Sequence, residues 1–265
     1  TMDFTLKHGE TYSIYMNHEE SEAVKTAVRN LKTDLWKTMG VSEETDCGRV
    51  KIFIGTLGVS EAFDSMIDKT KMQDEKGILR KEAYLHCIKD GSLVIAGSDR
   101  RGTVYGIYEL CEQLGVSPFY FWADVPVKVR DELLFAADYE KADFPSIEYR
   151  GIFINDEEEL EAWVKNNMGE ETIGIRTYEK IFELLLRLKG NYIWPAMHVN
   201  SFNMVPENGA LAERMGIVVG TSHCDMLMRS NNREWKPWIE KKGYRDAKYD
   251  YSISGKNREI LKEYW

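Results

Sequence analysis

The chain has 265 residues, of which 43% are hydrophobic and 30% are charged, and its formal net charge is −9. This length and composition are typical of a globular protein with one large domain or two ordinary ones, so they exclude a mini-protein and a wholly disordered chain. The acidic balance argues against a broad basic surface for nucleic acid or an anionic membrane, and an uncharged or weakly charged ligand fits better.

Cysteine spacing and hydropathy argue against three further classes: a disulfide scaffold, a zinc ribbon and a chain with a membrane span. Cys47, Cys87, Cys111 and Cys224 show neither C-x-x-C spacing nor paired placement. We therefore expect free, mostly buried thiols rather than a disulfide scaffold or a zinc ribbon. No apolar run approaches the ~18 residues that a membrane span needs.

The first predicted elements form a small α/β domain. Residues 11–16 read as a strand, and Asn17 with Glu20 three positions later is typical of a capping box at a helix start. Apolar residues at helical spacing follow, and Gly40 closes them where a left-handed cap belongs. They are Ala23, Val24, Ala27, Val28, Leu31, Leu35 and Met39. Further strands are predicted at 50–54, 84–88 and 93–96, with a turn at Asp90-Gly91, and a helix from Asp99 to about Gly115.

Beyond a proline-rich and aromatic segment, strands and helices alternate. We place a domain boundary near residue 143, which divides the chain into an N-terminal α/β domain (1–143) and a second part (144–265). The alternation predicts parallel β/α units in the second part. Its predicted strands lie at 149–154, 192–194 and 216–220, and its predicted helices at 178–189, 206–215 and 257–265.

The second part is too short for a whole (β/α)8 barrel. Such a barrel needs roughly 250 residues, so only its opening units fit after residue 143. A small open sheet is the alternative. Residues 261–265 stop inside a predicted amphipathic helix that has no C-cap signal, and this favours a truncated barrel.

Polar residues follow three predicted strands of the second part. In parallel β/α folds, functional residues lie just past the carboxyl ends of the strands. Each group also has an ordinary structural explanation, because acidic runs start helices, tryptophans fill cores and lone histidines are often structural. The groups are Asn155, Asp156, Glu157, Glu158 and Glu159; Trp194 to His198; and Thr221 to Asp225.

Several other motifs fail on inspection. The run Gly97–Thr103 lacks the lysine of a phosphate loop, so its glycines are expected to serve the turn and packing. The segment 55–58 lacks the third glycine of a dinucleotide fingerprint. A metal site built from His198, His223 and Asp225 stays an open but less favoured hypothesis, because spacing alone gives no ligand geometry.

Several segments together resemble glycoside hydrolase family 115, the xylan α-glucuronidases. The similarity spans about residues 90–265, whereas the first 90 residues match only in their α/β character. The segments that carry it are Gly97–Leu110, Gln113–Pro118, Trp122–Val127, Tyr149–Glu157, Phe182–Met197 and Gly216–His223.

This resemblance implies a hydrolase that removes α-1,2-linked glucuronic acid, or its 4-O-methyl ether, from glucuronoxylan with inversion and without a cofactor or a metal. It also implies a secreted or periplasmic location. Inversion needs a carboxylic acid and a carboxylate base roughly 6.5–9.5 Å apart. The resemblance places the family's catalytic carboxylates on later strands, beyond Trp265, with Asp156, Glu157 and Asp225 as further candidates in this chain.

Residue by residue, the resemblance implies that Asn155, Trp194 and His223 line the uronic-acid subsite. Their amide, indole face and imidazole suit a sugar that carries hydroxyls and a carboxylate. His198 is included as a binding candidate, although the family has an aromatic residue there.

The family also has His, Glu and Pro where Cys224, Asp225 and Met226 stand. A non-catalytic carbohydrate-binding protein, or a hydrolase acting on another plant polysaccharide side chain, therefore stays open as an alternative. Whether the chain forms a homodimer is open as well.

Overall fold

The computed structural model describes residues 1–46, 48–155 and 157–265. It is a mixed α/β structure, as the sequence predicts, and it divides into two compact units. The first unit comprises Thr1–Arg150, Glu183–Asn191 and Arg214–Gly216, and the second comprises Gly151–Phe182, Tyr192–Glu213 and Ile217–Trp265. The domain boundary near residue 143 stays a prediction.

The elements are as follows in chain order. The strands are β1 (Phe4–Lys7), β2 (Thr11–Tyr15), β3 (Ser42–Glu43), β4 (Val50–Thr56), β5 (Tyr84–Lys89), β6 (Ser92–Gly97), β7 (Glu132–Phe135), β8 (Glu140–Asp143), β9 (Gly151–Phe153), β10 (Tyr192–Trp194) and β11 (Val218–Val219). The α-helices are α1 (Glu22–Met39), α2 (Glu61–Asp64), α3 (Arg100–Leu114), α4 (Glu158–Asn167), α5 (Ile175–Arg187), α6 (Pro206–Met215), α7 (Trp235–Lys242) and α8 (Lys256–Tyr264).

The first unit is built on a sheet with the strand order β3-β2-β4-β6-β5-β8. Strands β3, β2, β4 and β6 are parallel, whereas β5 pairs antiparallel with both β6 and β8. The predicted strands at 50–54, 84–88 and 93–96 are confirmed, and Asp90-Gly91 makes the turn between the last two.

The N-cap of helix α1 lies four residues beyond the Asn17 that the capping-box pattern predicts. Ser21 is the N-cap and its hydroxyl accepts from the Val24 amide, so the prediction that Asn17 and Glu20 cap this helix is wrong. Both carboxylate oxygens of Glu20 instead accept hydrogen bonds from Thr56. The predicted apolar face is buried, and Gly40 ends the helix with φ 60°, which is the left-handed conformation that glycine adopts without strain.

Helix α3 confirms the interpretation of the run Gly97–Thr103. The Asp99 carboxylate accepts from the Gly102 amide as an N-cap. A Cβ atom on Gly102 would lie 2.1 Å from the carbonyl oxygen of Ala83, so this glycine permits close packing of the helix start. The glycines therefore serve the turn and packing, and the segment is a capped helix start.

The sequence patterns missed several elements of the first unit. Strands β1 and β7 form a separate antiparallel pair, and β8 adds a strand to the edge of the main sheet. These strands have four residues each, and β8 (Glu-Lys-Ala-Asp) carries almost no apolar signal. Short edge strands depend on pairing with a neighbour more than on their own composition.

The second unit contains a parallel sheet with the order β11-β10-β9. This confirms that the second part of the chain forms parallel β/α units. Helix α6 has the predicted bounds, α8 lies within one residue of them, and α5 runs from Ile175 to Arg187, with its end from Glu183 onwards belonging to the first unit. Helices α4 and α7 were missed. The barrel itself stays a prediction.

Among the described residues, Cys87, Cys111 and Cys224 are free, and Cys111 is buried while the other two are half-buried. Cys47 lies outside the described residues. No helix in the described part of the chain is long and apolar enough to cross a membrane.

Candidate functional site

The three predicted strand ends of the second unit lie along one edge of its sheet. Trp194 pairs with Phe153 and Ile193 pairs with Val219 in parallel register. Beyond the strands, the Ile154 amide donates to the Trp194 carbonyl (2.8 Å), and the Gly220 amide donates to the Ile193 carbonyl (2.9 Å). Since the strands are parallel and in register, the segments that follow them leave the sheet at the same edge.

Trp194 is half-buried at this edge and is held from two directions. Its ring meets the Phe153 ring edge-on, with centroids 5.4 Å apart and an interplanar angle of 79°. Its Nε1 donates to the hydroxyl of Tyr192 over 3.0 Å. The indole orientation is thus fixed before any ligand arrives, as a platform for a sugar ring requires.

Gly220 gives the Tyr192 hydroxyl the space that it occupies. A Cβ atom at this position would lie 1.8 Å from the Tyr192 Oη atom and 2.9 Å from the Trp194 Nε1 atom. No side chain larger than a hydrogen atom fits unless Tyr192 moves. The glycine after β11 therefore controls the position of the residue that orients Trp194.

Glu157 binds the loop that follows β10. Its carboxylate is buried, and its Oε1 atom accepts from the backbone amides of His198 (2.5 Å) and Val199 (2.8 Å). Both of these charge-assisted hydrogen bonds fall on one oxygen of the carboxylate, and they tie the side chain to the backbone of this loop. Glu157 therefore holds the loop after β9 to the loop after β10.

Arg233 and Tyr178 also bind the backbone of the loop that follows β10. A guanidinium nitrogen of Arg233 donates to the carbonyl oxygens of His198 and Val199. Tyr178, from α5, accepts the amide of Ala196 at its hydroxyl over 3.2 Å, and burial raises the pKa of that hydroxyl. The backbone after Trp194 is thus bound at its amides and at its carbonyls.

The remaining binding candidates are exposed. The His198 ring is 64% exposed, and its Nδ1 atom lies 3.4 Å from a Glu158 carboxylate oxygen that is itself exposed. His223 is exposed, and its Nδ1 atom lies 3.0 Å from the Ser222 hydroxyl. Asn155 is exposed as well. Exposed side chains with open donors and acceptors can meet a ligand from solvent.

Asp225 is a second buried carboxyl group in the segments that follow these strands. Its side chain is 1% exposed, and within the described part of the chain neither carboxylate oxygen accepts a hydrogen bond. Burial is the main cause that raises the pKa of Asp225 to about 6, and the Glu234 carboxylate adds to the rise. The neutral carboxylic acid therefore persists up to about pH 6, above the usual range of an aspartate.

The structure brings some of the predicted residues together and leaves others apart. Glu157 reaches the backbone of His198, but no hydrogen bond among the described residues joins Asn155, Trp194 and His223 to one another. Asp156 lies outside the described residues. No group of three or more His, Cys, Asp or Glu side chains that could hold a metal ion occurs in the described ranges, so His198, His223 and Asp225 do not assemble one.

Comparison with known proteins shows which family this part of the chain resembles. The model of glycosyl hydrolase family 115 matches residues 142–265, which include all three strand ends. A solved family GH115 4-O-methyl-α-glucuronidase, BtGH115A, with specificity for decorated arabinogalactans, is 35% identical over 99% of this chain, with a TM-score of 0.85. The chain belongs to glycosyl hydrolase family 115.

The chain spans about a third (34%) of the length of that family GH115 glucuronidase. Two more distant structures share the fold alone. They are CpGH84D (12% identity, TM-score 0.52, 81% of this chain and 34% of the other) and a family GH138 enzyme that targets pectin rhamnogalacturonan II (16% identity, TM-score 0.51, 96% of this chain and 28% of the other). No curated protein matches the chain in sequence.

The sequence patterns did not indicate the residues that support the edge of the sheet at which β9, β10 and β11 end. Tyr192 was read as part of a strand, yet its hydroxyl orients Trp194. Arg233 lies in a loop without periodicity, so nothing in its surroundings indicated contact with residues 198 and 199. Gly220 gave the one usable signal, because a glycine at a strand end can mark a close approach.

Proposed function

We propose that this chain is the N-terminal portion of an inverting glycosidase. Its reaction is the removal of α-1,2-linked glucuronic acid, or the 4-O-methyl ether, from a decorated plant polysaccharide. Membership of family 115, together with the three strand ends on one sheet edge, is the observation that carries the proposal. No cofactor or metal enters the reaction that we propose.

Asn155, Trp194 and His223 form the sugar subsite in this proposal. The fixed indole of Trp194 stacks on the sugar ring, and the exposed amide of Asn155 bonds its hydroxyls. His223 donates to the uronic carboxylate. His198 stands beside them on the loop that Glu157 and Arg233 bind.

The acid and base of this reaction come from a later part of the protein. Glu157 is buried and engaged by two amides, and the carboxyl group of Asp225, although its raised pKa suits a proton donor, is closed off from solvent. An inverting pair needs two carboxyl groups that both reach the glycosidic bond and its attacking water.

The polymer is glucuronoxylan or a decorated arabinogalactan in this proposal. The sequence resemblance implies xylan, whereas the 35% identical glucuronidase is named for decorated arabinogalactans. A cell that degrades either polymer meets it outside the cytoplasm, so the proposed location of the enzyme is secreted or periplasmic.

The test is release of glucuronic acid from 4-O-methylglucuronylated xylo-oligosaccharides and from decorated arabinogalactan. The 265-residue chain and the longer protein that continues it are assayed side by side, and NMR identifies the anomer first formed. We expect release of the β-anomer by the longer protein alone. Binding without turnover in the longer protein would instead show a carbohydrate-binding role, and an α-anomer would exclude inversion.

A further inference from the structure

The sheet of the first unit has a topological switch point between β2 and β4. From β2 the chain passes through α1 to β3 on one side, whereas β4 lies on the other side of β2 and leads on towards β6. The connections at the carboxyl ends of these two parallel strands therefore leave in opposite directions. In open α/β sheets, ligands bind in the crevice that forms at such a point.

A cavity of about 410 Å³ occupies this place. It is lined by the ends of β2 and β4, by the segment 16–20 and by the helix α2. Pockets of about 300–1,000 Å³ are the usual size for small-molecule sites. The cavity lies within the first unit, among residues that the glucuronidase proposal does not use.

One wall of the cavity is aromatic. Tyr15 and Phe53 are paired across β2 and β4, and their rings stack with centroids 5.0 Å apart and an interplanar angle of 19°. Both rings are half-buried. Phe63, on α2, also lines the cavity, and its ring fits against Gly55, where a Cβ atom would lie 2.6 Å from the ring carbon Cδ1.

The other wall is polar and carries no positive charge. Glu20 is 4% exposed, and each of its carboxylate oxygens accepts a bond from Thr56, which leaves further lone pairs on both oxygens. The side-chain oxygen Oδ1 of Asn17 accepts the Glu19 amide, and the Nδ2 atom of the same side chain has no partner in the described part of the chain. None of the described residues that line the cavity is basic, and Asp46 adds a second carboxylate.

We infer that this cavity binds a neutral sugar residue of a glycan. Carboxylate and amide groups bond hydroxyls, an aromatic wall takes the apolar face of a pyranose or furanose ring, and two carboxylates with no cation repel an anionic ligand. The site is thus distinct in chemistry from the uronic-acid subsite of the second unit. It does not depend on that subsite or on turnover.

The test is titration of the isotope-labelled 265-residue chain with neutral xylotetraose, arabinotriose and galactotriose, and with glucuronic acid, followed by NMR. We expect one of the neutral sugars to shift the backbone amides of Tyr15, Gly55 and Thr56. Glucuronic acid should not shift them. Shifts confined to Asn155 and His223 would report the other unit, so failure of this site and failure of the glucuronidase proposal are told apart.

Three variants sharpen this test. Tyr15→Ala removes one stacked ring, and Ala62→Trp adds bulk at the exposed rim of the cavity without removing a core contact. We expect each to weaken binding at least about tenfold. The matched control Trp36→Ala removes an aromatic ring that is 63% exposed on α1 in the same unit, and it should bind as the parent does.

Two outcomes overturn the inference. If no neutral sugar shifts the amides of Tyr15, Gly55 and Thr56, the cavity is not a sugar site. If Ala62→Trp binds as tightly as the parent while it keeps the parent's fold by circular dichroism, the sugar lies elsewhere. Shifts at these amides with a cation such as tetramethylammonium, and none with sugars, would assign a cation to the cavity instead.

Discussion

Arg187 and Asp34 form a buried ion pair in the first unit. Arg187 Nη1 donates to Asp34 Oδ2 over 2.8 Å, and both side chains are 3% exposed. Arg187 Nε also donates to Glu183 over 2.8 Å, and its guanidinium lies over the Tyr108 ring, 4.8 Å from the centroid. The arginine thus joins the end of α5 to α1 and α3 inside that unit.

Breaking this pair from one side should destabilise the protein strongly. Arg187→Met removes the cation from the buried Asp34 and Glu183 carboxylates, and we expect a loss of about 3–5 kcal/mol in the free energy of unfolding. Denaturant titration measures it. The control Arg29→Met changes an exposed arginine on α1 and should stay within about 0.5 kcal/mol of the parent. Equal effects of the two substitutions would contradict a special role for Arg187.

Gly220→Ala should displace Tyr192 and cost about 1–3 kcal/mol, because the added Cβ atom would lie 1.8 Å from the tyrosine hydroxyl. The double variant with Tyr192→Phe should recover part of the loss. Gly209→Ala is the matched control, because no atom lies within 4 Å of its added Cβ, and in helix α6 we expect a gain of about 0.5–1 kcal/mol. Thermal unfolding compares them, and a Gly220→Ala protein as stable as the parent would refute the close approach.

Glu157→Ala should loosen the loop after β10. It leaves the partly buried amides of His198 and Val199 without their carboxylate acceptor, at a cost of about 1–3 kcal/mol. Hydrogen exchange at these two amides should accelerate. Glu158→Ala removes the neighbouring exposed carboxylate and should leave both exchange rates unchanged. If Glu157→Ala exchanges no faster than Glu158→Ala, the carboxylate does not bind this loop.

Asp225 should make stability depend on pH. Its pKa rises from 3.8 in the unfolded chain to about 6 in the folded one, so the folded state binds more protons between these values. Its contribution to stability therefore falls as pH rises through this window, by up to about 3 kcal/mol.

Unfolding of Asp225→Asn across pH 4 to 7 tests this directly. The variant should gain stability relative to the parent as pH rises, because it carries no carboxylate to desolvate. Glu259→Gln, at an exposed position on α8, is the control and should follow the parent at every pH. Parallel curves for the parent and Asp225→Asn would show that the Asp225 carboxyl is not perturbed.

His223→Ala tests the proposed subsite in the longer protein that we propose as the active enzyme. Loss of one donor to the uronic carboxylate should lower kcat/KM on a 4-O-methylglucuronylated xylo-oligosaccharide at least about tenfold, or about 1.4 kcal/mol. Ser222→Ala removes the hydroxyl beside the ring and keeps the imidazole, so its effect should be smaller. Unchanged kinetics in His223→Ala would remove this residue from the subsite.

Much of the architecture follows from periodicity. The apolar stripe of α1, the hairpin at Asp90-Gly91 and the parallel strand at Tyr192–Trp194 could all be read from the sequence, because burial imposes a period of 3.6 or 2 residues on them. The capping-box pattern at Asn17 and Glu20 failed for a tertiary reason. Thr56, on a neighbouring strand, takes the carboxylate of Glu20, and Ser21 caps the helix.

Local sequence thus determined the helices α1, α3, α5, α6 and α8, the inner strands, the mixed α/β class and the positions of Trp194 and His223 at strand ends. Only the tertiary structure decided what lies between elements that are distant in sequence. In the folded chain the Tyr192 hydroxyl lies against Gly220, and the Glu157 carboxylate accepts hydrogen bonds from the amides of residues 198 and 199. Tyr15 and Phe53 line a cavity there. These relationships depend on packing and hydrogen-bond geometry across the chain, and no periodicity within a short window records them.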